Sequence, residues 1–452
     1  MSVNDYTTVH IGLDDVDTQF SGCTTHVTYR ILKNILNKHS KVTPLDFPNL
    51  IRLNPTIPFK TRGNAALALR LKVPTELLDS LKKDVVNEVL KYVSTRVNED
   101  LTSYGVDPGL AFVYGEVSEP LRKLYLKALT DYVHMDYLVN VINELNGRVE
   151  TPLGLKRGLV GALAAVGAVN LPDCTYELIV YRHPSNYLKE RCVDVESIKA
   201  MDEEFKHVTF LNYDYSKDKP LITPSGSNPV LLGIRGEDPK ALLKAFKSLK
   251  ICEEIEGWAV FKTNQGTNAH HVRRSLDDVR PYQTGCFEGV VLGRPSTLRG
   301  GDVMIKIVDG VSTLNAVAFK ETGLNKVLQA LMDGDRVEVC GGVKFWTGFG
   351  PVLHVDKVSV LDVVGVKYLN PKCPKCGHRM KSLGRGKGWR CPKCGFKASN
   401  LARDEIALER KVSLGVYVPV DRAVKHLIMP EVRYGRWRAC LDLPMEVTEF
   451  IR

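Results

Sequence analysis

The 452-residue sequence has no run of 18 or more apolar residues, so no membrane-spanning helix is expected. Its first residues, MSVNDYTTVH, lack the basic flank and apolar stretch of a secretory signal, and a cytoplasmic protein is expected. Internal repeats and low-complexity tracts are also missing. Seven of the 11 cysteines (Cys23, Cys174, Cys192, Cys252, Cys286, Cys340 and Cys440) are scattered and odd in number. In a cytosolic chain such cysteines read as buried thiols rather than a disulfide framework. From Lys372 to Lys397 there is no Asp or Glu among nine Lys and Arg. What is present is a composition 44% hydrophobic and 25% charged, which suits roughly three or four globular domains. The formal net charge of +10 fits a polyanionic partner, although where the charge lies matters more than its sum.

The patterning predicts an α+β multidomain chain. Residues 1–119 alternate strands and helices: strand 8–14 ending in carboxylates, helix 24–38 with Val27, Ile31 and Ile35 on one stripe, a Pro-rich stretch 44–63, strand 65–71, helix 75–93 and strand 110–114. Two helical patterns run through 118–145. Within 120–278, a strand at 147–150, helix 159–168, strands 175–182 and 229–234, helix 238–249 and strand 257–263 follow the β-α-β-β-α-β order of a ferredoxin-like domain. A long insertion, 183–228, divides its halves, and connections of that length are usually functional or structured. Residues 282–365 give strands 284–293, 302–308 and 313–319, a helix at 323–332, and strands 335–343 and 352–362. That is the OB-fold order, with Lys306 on the face that binds oligonucleotides and Arg294, Arg299 and Trp346 in its loops. A zinc ribbon at 366–402 and a basic helical tail at 403–452 complete the expectation.

Cys373, Cys376, Cys391 and Cys394 form a Cys-x2-Cys-x14-Cys-x2-Cys pattern, with Gly377 and Gly395 directly after each second cysteine. Two such knuckles supply the four sulfurs of a tetrahedral zinc, leaving no open position for water, so the ion is structural. A redox dithiol is the alternative, and two matched pairs argue against it. Arg379, Lys381, Arg385, Lys387 and Arg390 surround Trp389. Cations interleaved with aromatics suit phosphate contact and base stacking. The plainer reading is a solvated surface on a module too small to bury charge.

Asp14, Asp15 and Asp17 crowd the end of the first strand. Close carboxylates repel one another unless a cation lies among them, and Mg²⁺ held by carboxylates and phosphate oxygens fits. The following turn, Gly22, Cys23, Thr24 and Thr25, opens a helix whose free N–H groups suit an anion. These residues are a candidate Mg-ATP site, while an N-cap and turn would use the same residue types. A second stretch, Arg52 to Asn64, is stiffened by Pro55 and Pro58 and carries Arg52, Lys60 and Arg62. It is either a phosphate clamp or a solvated basic loop.

Taken together, GLDDVDTQFSGCTTH (12–26), RLNPTIPFKTRGNAA (52–66), KRGLVGALAAVGA (156–168), NPVLLGIRGE (228–237), the OB region and the ribbon resemble the archaeal tRNA(isoleucine) 2-agmatinylcytidine synthetases over essentially the whole chain. The resemblance implies ATP-dependent ligation of agmatine to C2 of the cytidine at the first anticodon position of an isoleucine tRNA, with AMP and phosphate released, so that the tRNA reads AUA. It implies a kinase-like ATP domain, a ferredoxin-like domain, an OB domain and a zinc ribbon. It implies that Thr24 becomes phosphorylated and that Asp14, Asp15 and Asp17 are the family's Asp-Asp-x-Asp carboxylates. Val16 stands where a Thr is expected, and the Gln19-Phe20-Ser21 run is one or two residues longer than the family pattern; neither removes a carboxylate.

The chemistry follows. The C2 carbonyl of cytidine is a poor electrophile, and phosphorylating its oxygen creates a leaving group that an amine can displace, with Mg²⁺ and positioning carrying the phosphoryl step. The target base must leave the anticodon stack. Agmatine is a dication, and Asp202, Glu203 and Glu204 in the insertion are either its ligands or an exposed acidic patch. The base that deprotonates its amine is not assigned. Two other readings stay open at this point: an ATP-dependent RNA modifier using another amine such as lysine, for which the expected Ser-Gly-Gly-x-Asp-Ser loop is missing, and a non-enzymatic single-strand binding protein built on the OB and ribbon modules.

Overall fold

One sheet of ten strands runs through the first 263 residues of the computed structural model, which describes residues 5–18, 22–60, 63–94, 106–224, 229–436, 440 and 447–452. Its main elements in chain order are β1 (Tyr6–Asp14), α1 (Thr24–Lys38), β2 (Asn49–Arg52), β3 (Ala65–Pro74), α2 (Leu78–Ser94), β4 (Gly109–Tyr114), α3 (Glu119–Thr130), α4 (Met135–Glu144), α5 (Gly158–Gly167), β5 (Thr175–Arg182), α6 (Val195–Phe205), β6 (Val230–Gly236), α7 (Pro239–Ser248) and β7 (Ile255–Thr263). The strands lie in the order β4-β1-β3-β2-β7-β5-β6, with Val149–Glu150 beyond β4 and Thr209–Phe210 beyond β6. Neighbours are antiparallel except at one join, where Asn49 and Leu50 of β2 run parallel to Lys262 and Thr263 of β7. Strands β3 and β5 are buried almost throughout, and β1 is buried from Val9 to Leu13, as expected for strands covered by helices.

The regions read as 1–119 and 120–278 share one continuous sheet. The strand near 147–150 exists, but it pairs with β4 at the far edge rather than with β5–β7, and α5 lies on β1, β3 and β4. The remaining three strands are antiparallel, with α6 and α7 beside them. Sequence order showed a helix between strands but not which strands it covers. The insertion is structured, with α6 followed by short strands at Thr209–Phe210, Tyr213–Asp214 and Lys219–Pro220.

The next module contains β8 (Thr284–Val291), β9 (Val303–Val308), β10 (Thr313–Ala318), α8 (Leu324–Ala330), β11 (Arg336–Trp346) and β12 (Gly350–Asp362). The order β8-β11-β12-β10-β9 closes on itself, because Val290 and Val291 also pair with Val308 and Ile307. Phe287, Ile305, Val339 and Leu353 fill the barrel. His270 and His271 bring Nε2 to 3.2 and 2.8 Å of the Asp356 carboxylate, and Arg274 donates to Asp131 at 2.7 Å, tying barrel to sheet. The ribbon carries three short strands on a core of Met380, Trp389 and its cysteines.

Residues 403–452 overturn the expectation of a basic helical tail. Among the described residues this segment contains strands Asp404–Ala407 and Gly415–Tyr417 and 3₁₀ turns, but no α-helix. Its nine Lys and Arg face eight Asp and Glu. Pro419, Pro430 and Pro444 interrupt any helical period, and the adjacent apolar residues Leu427, Ile428 and Met429 are all buried, as an extended chain threading the body allows. The segment returns to the sheet, where Arg433 is buried against Asp173 and Glu237. Trp258 and Arg452 exchange backbone hydrogen bonds at 3.0 Å. No helix among the described residues is long and apolar enough to cross a membrane.

The scattered cysteines are also not all thiols. Cys174 is bonded to Cys440, Cys192 to Cys252 and Cys286 to Cys340, leaving Cys23 and the four ribbon cysteines free. The expectation rested on compartment, yet disulfides also occur inside cells in some heat-adapted organisms. Denatured, zinc-stripped protein is therefore expected to expose five reactive thiols before reduction and eleven after it, as counted by a chromogenic disulfide reagent.

Candidate active site

Helix α5 is almost entirely Gly, Ala, Val and Leu, and this sets the site. An added Cβ on Gly12 of β1 would sit 2.2 Å from the Ala162 carbonyl oxygen, so strand and helix backbones touch. An added Cβ on Gly161 would sit 1.8 Å from Asp14 Oδ2. The Asp14 carboxylate thus occupies the hollow of a missing side chain. Its Oδ1 accepts from the Asp15 backbone N–H at 2.7 Å. Asp15 follows in the left-handed region at φ 55°, turning its carboxylate toward Arg157, which donates at 2.8 Å. Arg157, immediately before the small-residue helix, had no role in the sequence reading; a cation flanking a carboxylate-receiving glycine helix was the available signal.

Asp17 accepts from the Thr24 hydroxyl at 3.2 Å, and both are buried. Thr24 begins α1 after an extended Cys23, whose backbone N–H donates to the Tyr92 hydroxyl at 3.0 Å. His26 spans from Tyr92 to Glu256 at 3.0 and 2.8 Å, fixing α1 against α2 and β7. Burial, followed by the neighbouring Asp15 charge, holds the Asp14 carboxyl well above the usual range. Burial lifts Asp15 to about 6 against the pull of Arg157. Two carboxyls with raised proton affinity beside a third are a site that gains from a cation.

These groups line a cavity of about 490 Å³ together with Cys23, Thr25, Arg52, Lys60, Glu177, Arg235 and His426. Gly22 adopts φ 78° at the turn. Arg62 and the Gln19-Phe20-Ser21 run lie outside the described residues. Lys60 is held below its usual range by burial and then by Lys344 and Lys425. A loop, β11 of the barrel and the C-terminal segment thus bring three ammonium groups together. Sequence reasoning found only Lys60, because Lys344 and Lys425 reach it through tertiary contacts. Asp202, Glu203 and Glu204 do not line the cavity. Asp202 is engaged by Asn212 and Tyr215, and Glu203 by Lys206, on α6. Asp131 and Glu177 are the cavity's other carboxylates.

In the ribbon, Cys373–Cys394, Cys376–Cys391 and Cys376–Cys394 sulfurs are 3.5 Å apart, and all four lie within 4.8 Å of one another. A tetrahedron of 2.3 Å bonds separates sulfurs by ~3.8 Å, so the residues fit zinc. Lys381, Arg385, Lys387 and Arg390 are exposed. Trp389 is buried, with its N–H donating to Leu401 O at 2.9 Å, so this module spends its largest aromatic on its own core rather than on a base. Arg379 is bound to Asn370 O and Asp404. On the barrel, Lys306, Arg294 and Arg299 are exposed, while Trp346 bonds His354 at 2.9 Å. The exposed aromatics there are Phe345 and Phe349, at 64% and 52%, which the sequence reading passed over.

The fold and site define a multidomain α+β protein with a carboxylate-lined cavity, a β-barrel and a four-cysteine ribbon. Residues 10–150 match the family described as the TiaS TCKD domain, 156–270 the TiaS FLD domain, and 370–412 the TiaS C-terminal zinc ribbon domain. The chain is 39% identical to the isoleucine-tRNA 2-agmatinylcytidine synthetase TiaS of Ignisphaera aggregans over 97% of this chain and 96% of the relative. It is 38% identical to the protein of the same name from Staphylothermus marinus, over 98% of each. A crystal structure of TiaS in complex with its isoleucine tRNA and ATP superposes with a TM-score of 0.77 at 34% identity, covering 94% of this chain and 97% of that one. A complex of TiaS with the same tRNA, AMPCPP and agmatine gives 0.75 at 30%, with the same coverage. The chain belongs to the TiaS family of isoleucine-tRNA 2-agmatinylcytidine synthetases.

The two glycine contacts predict opposite outcomes. Gly161→Ala meets only a carboxylate that can rotate and gains helix propensity of about 1 kcal/mol. Its melting temperature is expected to stay within a few degrees of wild type while turnover falls at least tenfold, because Asp14 is displaced. Gly12→Ala meets backbone and is expected to lose about 1–3 kcal/mol of stability, read by denaturant titration.

Proposed function

We propose that the chain uses ATP to ligate agmatine to C2 of the cytidine at the first anticodon position of an isoleucine tRNA, so that this tRNA reads AUA. The observation that carries the reading is a single cavity in which Asp14, Asp15, Asp17 and Thr24 meet cations from separate parts of the chain. The names of the relatives, and the tRNA, ATP-analogue and agmatine complexes of the similar structures, support it. In this reading the β1–β4 half is a kinase-like ATP part. Strands β5–β7 with α6 and α7 are a ferredoxin-like part without its usual first strand. The five-stranded barrel is an OB fold, whose order it follows. The protein works in the cytoplasm, with its tRNA.

Asp14, Asp15 and Asp17 hold Mg²⁺, which when bound neutralises phosphate oxygens. Gly22, Cys23 and Thr25 with Lys60 and Arg62 cradle the phosphates. The Thr24 hydroxyl already donates to Asp17, so Asp17 is placed to take its proton when Thr24 becomes phosphorylated. Phosphate on the cytidine O2 turns a carbonyl into a leaving group, and the amine displaces it. Asp131 and Glu177, rather than the α6 carboxylates, face the dication. The exposed ribbon cations with Lys306, Arg294 and Arg299 contact tRNA phosphates, and Phe345 and Phe349 offer faces for bases.

Mass analysis of nucleosides from isoleucine tRNA incubated with enzyme, ATP and agmatine is expected to show 2-agmatinylcytidine; unmodified cytidine throughout would end this reading. Asp14→Ala and Asp17→Ala are each expected to abolish transfer while tRNA binding persists. Replacing Lys381, Arg385, Lys387 and Arg390 by Ala is expected to weaken tRNA binding and reduce the slope of log affinity against log salt by roughly 3, measured by filter binding across a series of salt concentrations.

A further inference from the structure

We propose that His426 is the base that frees the agmatine amine for attack, an inference that rests on the ligation reading above. His426 arrives from the far C-terminal segment. Its backbone carbonyl accepts from Gly266 N at 2.7 Å, and the next carbonyl, of Leu427, accepts from Asn268 N at 2.8 Å. These contacts hold the ring at the wall of the cavity that Asp17, Thr24 and Lys60 also line.

The hydrogen bonds around the ring determine which nitrogen carries the proton. Glu177 is buried, and its carboxylate accepts from Gln265 Nε2. A carboxylate does not donate, so the amide NH₂ of Gln265 must face it, and the amide oxygen Oε1 must face the other way. That oxygen lies 3.0 Å from His426 Nδ1, and an amide oxygen only accepts, so Nδ1 carries the hydrogen. Nε2 is left with a bare lone pair. It points toward Gly63, where an added Cβ would lie only 2.8 Å away, and it has no hydrogen-bond partner among the described residues. Gly63 also lines the cavity. A histidine held through its Nδ1–H with Nε2 open is the arrangement general bases use.

The charged groups facing the ring are Arg52 of β2, Arg235 of β6 and Lys60 of the intervening loop, with Glu177 of β5 reached only through Gln265. Burial and these three cations keep the imidazole well below the usual histidine range. It is therefore neutral near pH 7 with Nε2 unprotonated; the same cations oppose its protonation, and phosphate held by Lys60 in the ligation reading offsets them, so that Nε2 accepts only in the loaded site.

The protons balance as follows. Agmatine enters with its terminal nitrogen as an ammonium and gives one proton to His426 Nε2. The freed lone pair forms the C–N bond at C2, and the C2–O bond breaks with its electron pair leaving on phosphate. The nitrogen sheds its second proton to the departing phosphate, and His426 returns its own to solvent.

The test compares wild type with His426→Asn, whose amide N–H can still donate to Gln265. Wild type must first form 2-agmatinylcytidine; if it does not, the ligation reading fails, and the base assignment with it. Given an active wild type, kcat of His426→Asn near neutral pH is expected to fall about a hundredfold or more, with KM for agmatine and affinity for tRNA little changed. The deficit should then shrink about tenfold per pH unit as the pH rises toward that of the free amine, because bulk solution supplies unprotonated agmatine from a group of pKa near 10. A kcat within threefold of wild type, or a deficit constant with pH, overturns the proposal. If His426→Asn does not fold, Gln265→Met keeps the imidazole but releases its tautomer. It is expected to lower kcat three- to tenfold with the wild-type affinity for tRNA kept, and an unchanged kcat overturns the proposal.

Discussion

The helix Gly158–Gly167 can lie on strand Tyr6–Asp14 only because neither presents a side chain at the points of closest approach. Gly12 lets the Ala162 carbonyl touch the strand, and Gly161 leaves the space that the Asp14 carboxylate fills. Most of what makes the site reactive follows from that contact. Asp14 is packed against the helix at the cavity wall and raised in proton affinity. Asp15 is forced into a left-handed turn that aims it at Arg157. Asp17 is left to receive the Thr24 hydroxyl. A cluster of carboxylates this tight is costly in itself, and it persists because backbone contact fixes the strand end on which it sits.

The counterweight comes from elsewhere in the chain. Lys60, Lys344 and Lys425 belong to a loop, the barrel and the C-terminal segment, and they meet near the cavity. Like charges gathered at one place are as unfavourable as the carboxylates opposite them, and a polyphosphate or a nucleic-acid backbone answers both. The ribbon shows the same economy on a smaller scale. Too short to bury more than a few residues, it uses Trp389 and Met380 around its cysteines as core and leaves most of its lysines and arginines outside.

What was legible in the sequence was local. Four cysteines at metal spacing, three aspartates at a strand end, and a Gly-Cys-Thr-Thr turn before a helix each lie within a couple of dozen residues, and the structure brings each set together. The strands and helices of the barrel also fell close to their expected positions. What was not legible depended on contacts between distant residues. The pairing of β2 with β7 joins Asn49 to Lys262. The bond from Cys174 to Cys440 spans 266 residues. Each is a product of how the sheet is assembled, and no periodicity records it. The acidic run at Asp202–Glu204 was plain to read as charge, but those residues are not among the ones that line the cavity, and no local pattern records which acids do.

The C-terminal residues have a consequence for the order in which the chain becomes a protein. Phe450 packs edge-on against Phe47 with ring centroids 5.1 Å apart, and Ile451 bridges to Ala259 of β7. The hydrophobic interior beneath the central sheet is thus closed by residues made long after the strands they cover. At ordinary rates of synthesis, the strands around Phe47 wait roughly 20–80 s for a partner some 400 residues downstream. During that time the face that Phe450 will cover stays open to water. Such non-local closure slows folding and makes the nascent chain sticky rather than autonomous. A chain that stops short of Phe450 would lack part of this core, so the sheet stays incomplete until synthesis has passed that residue.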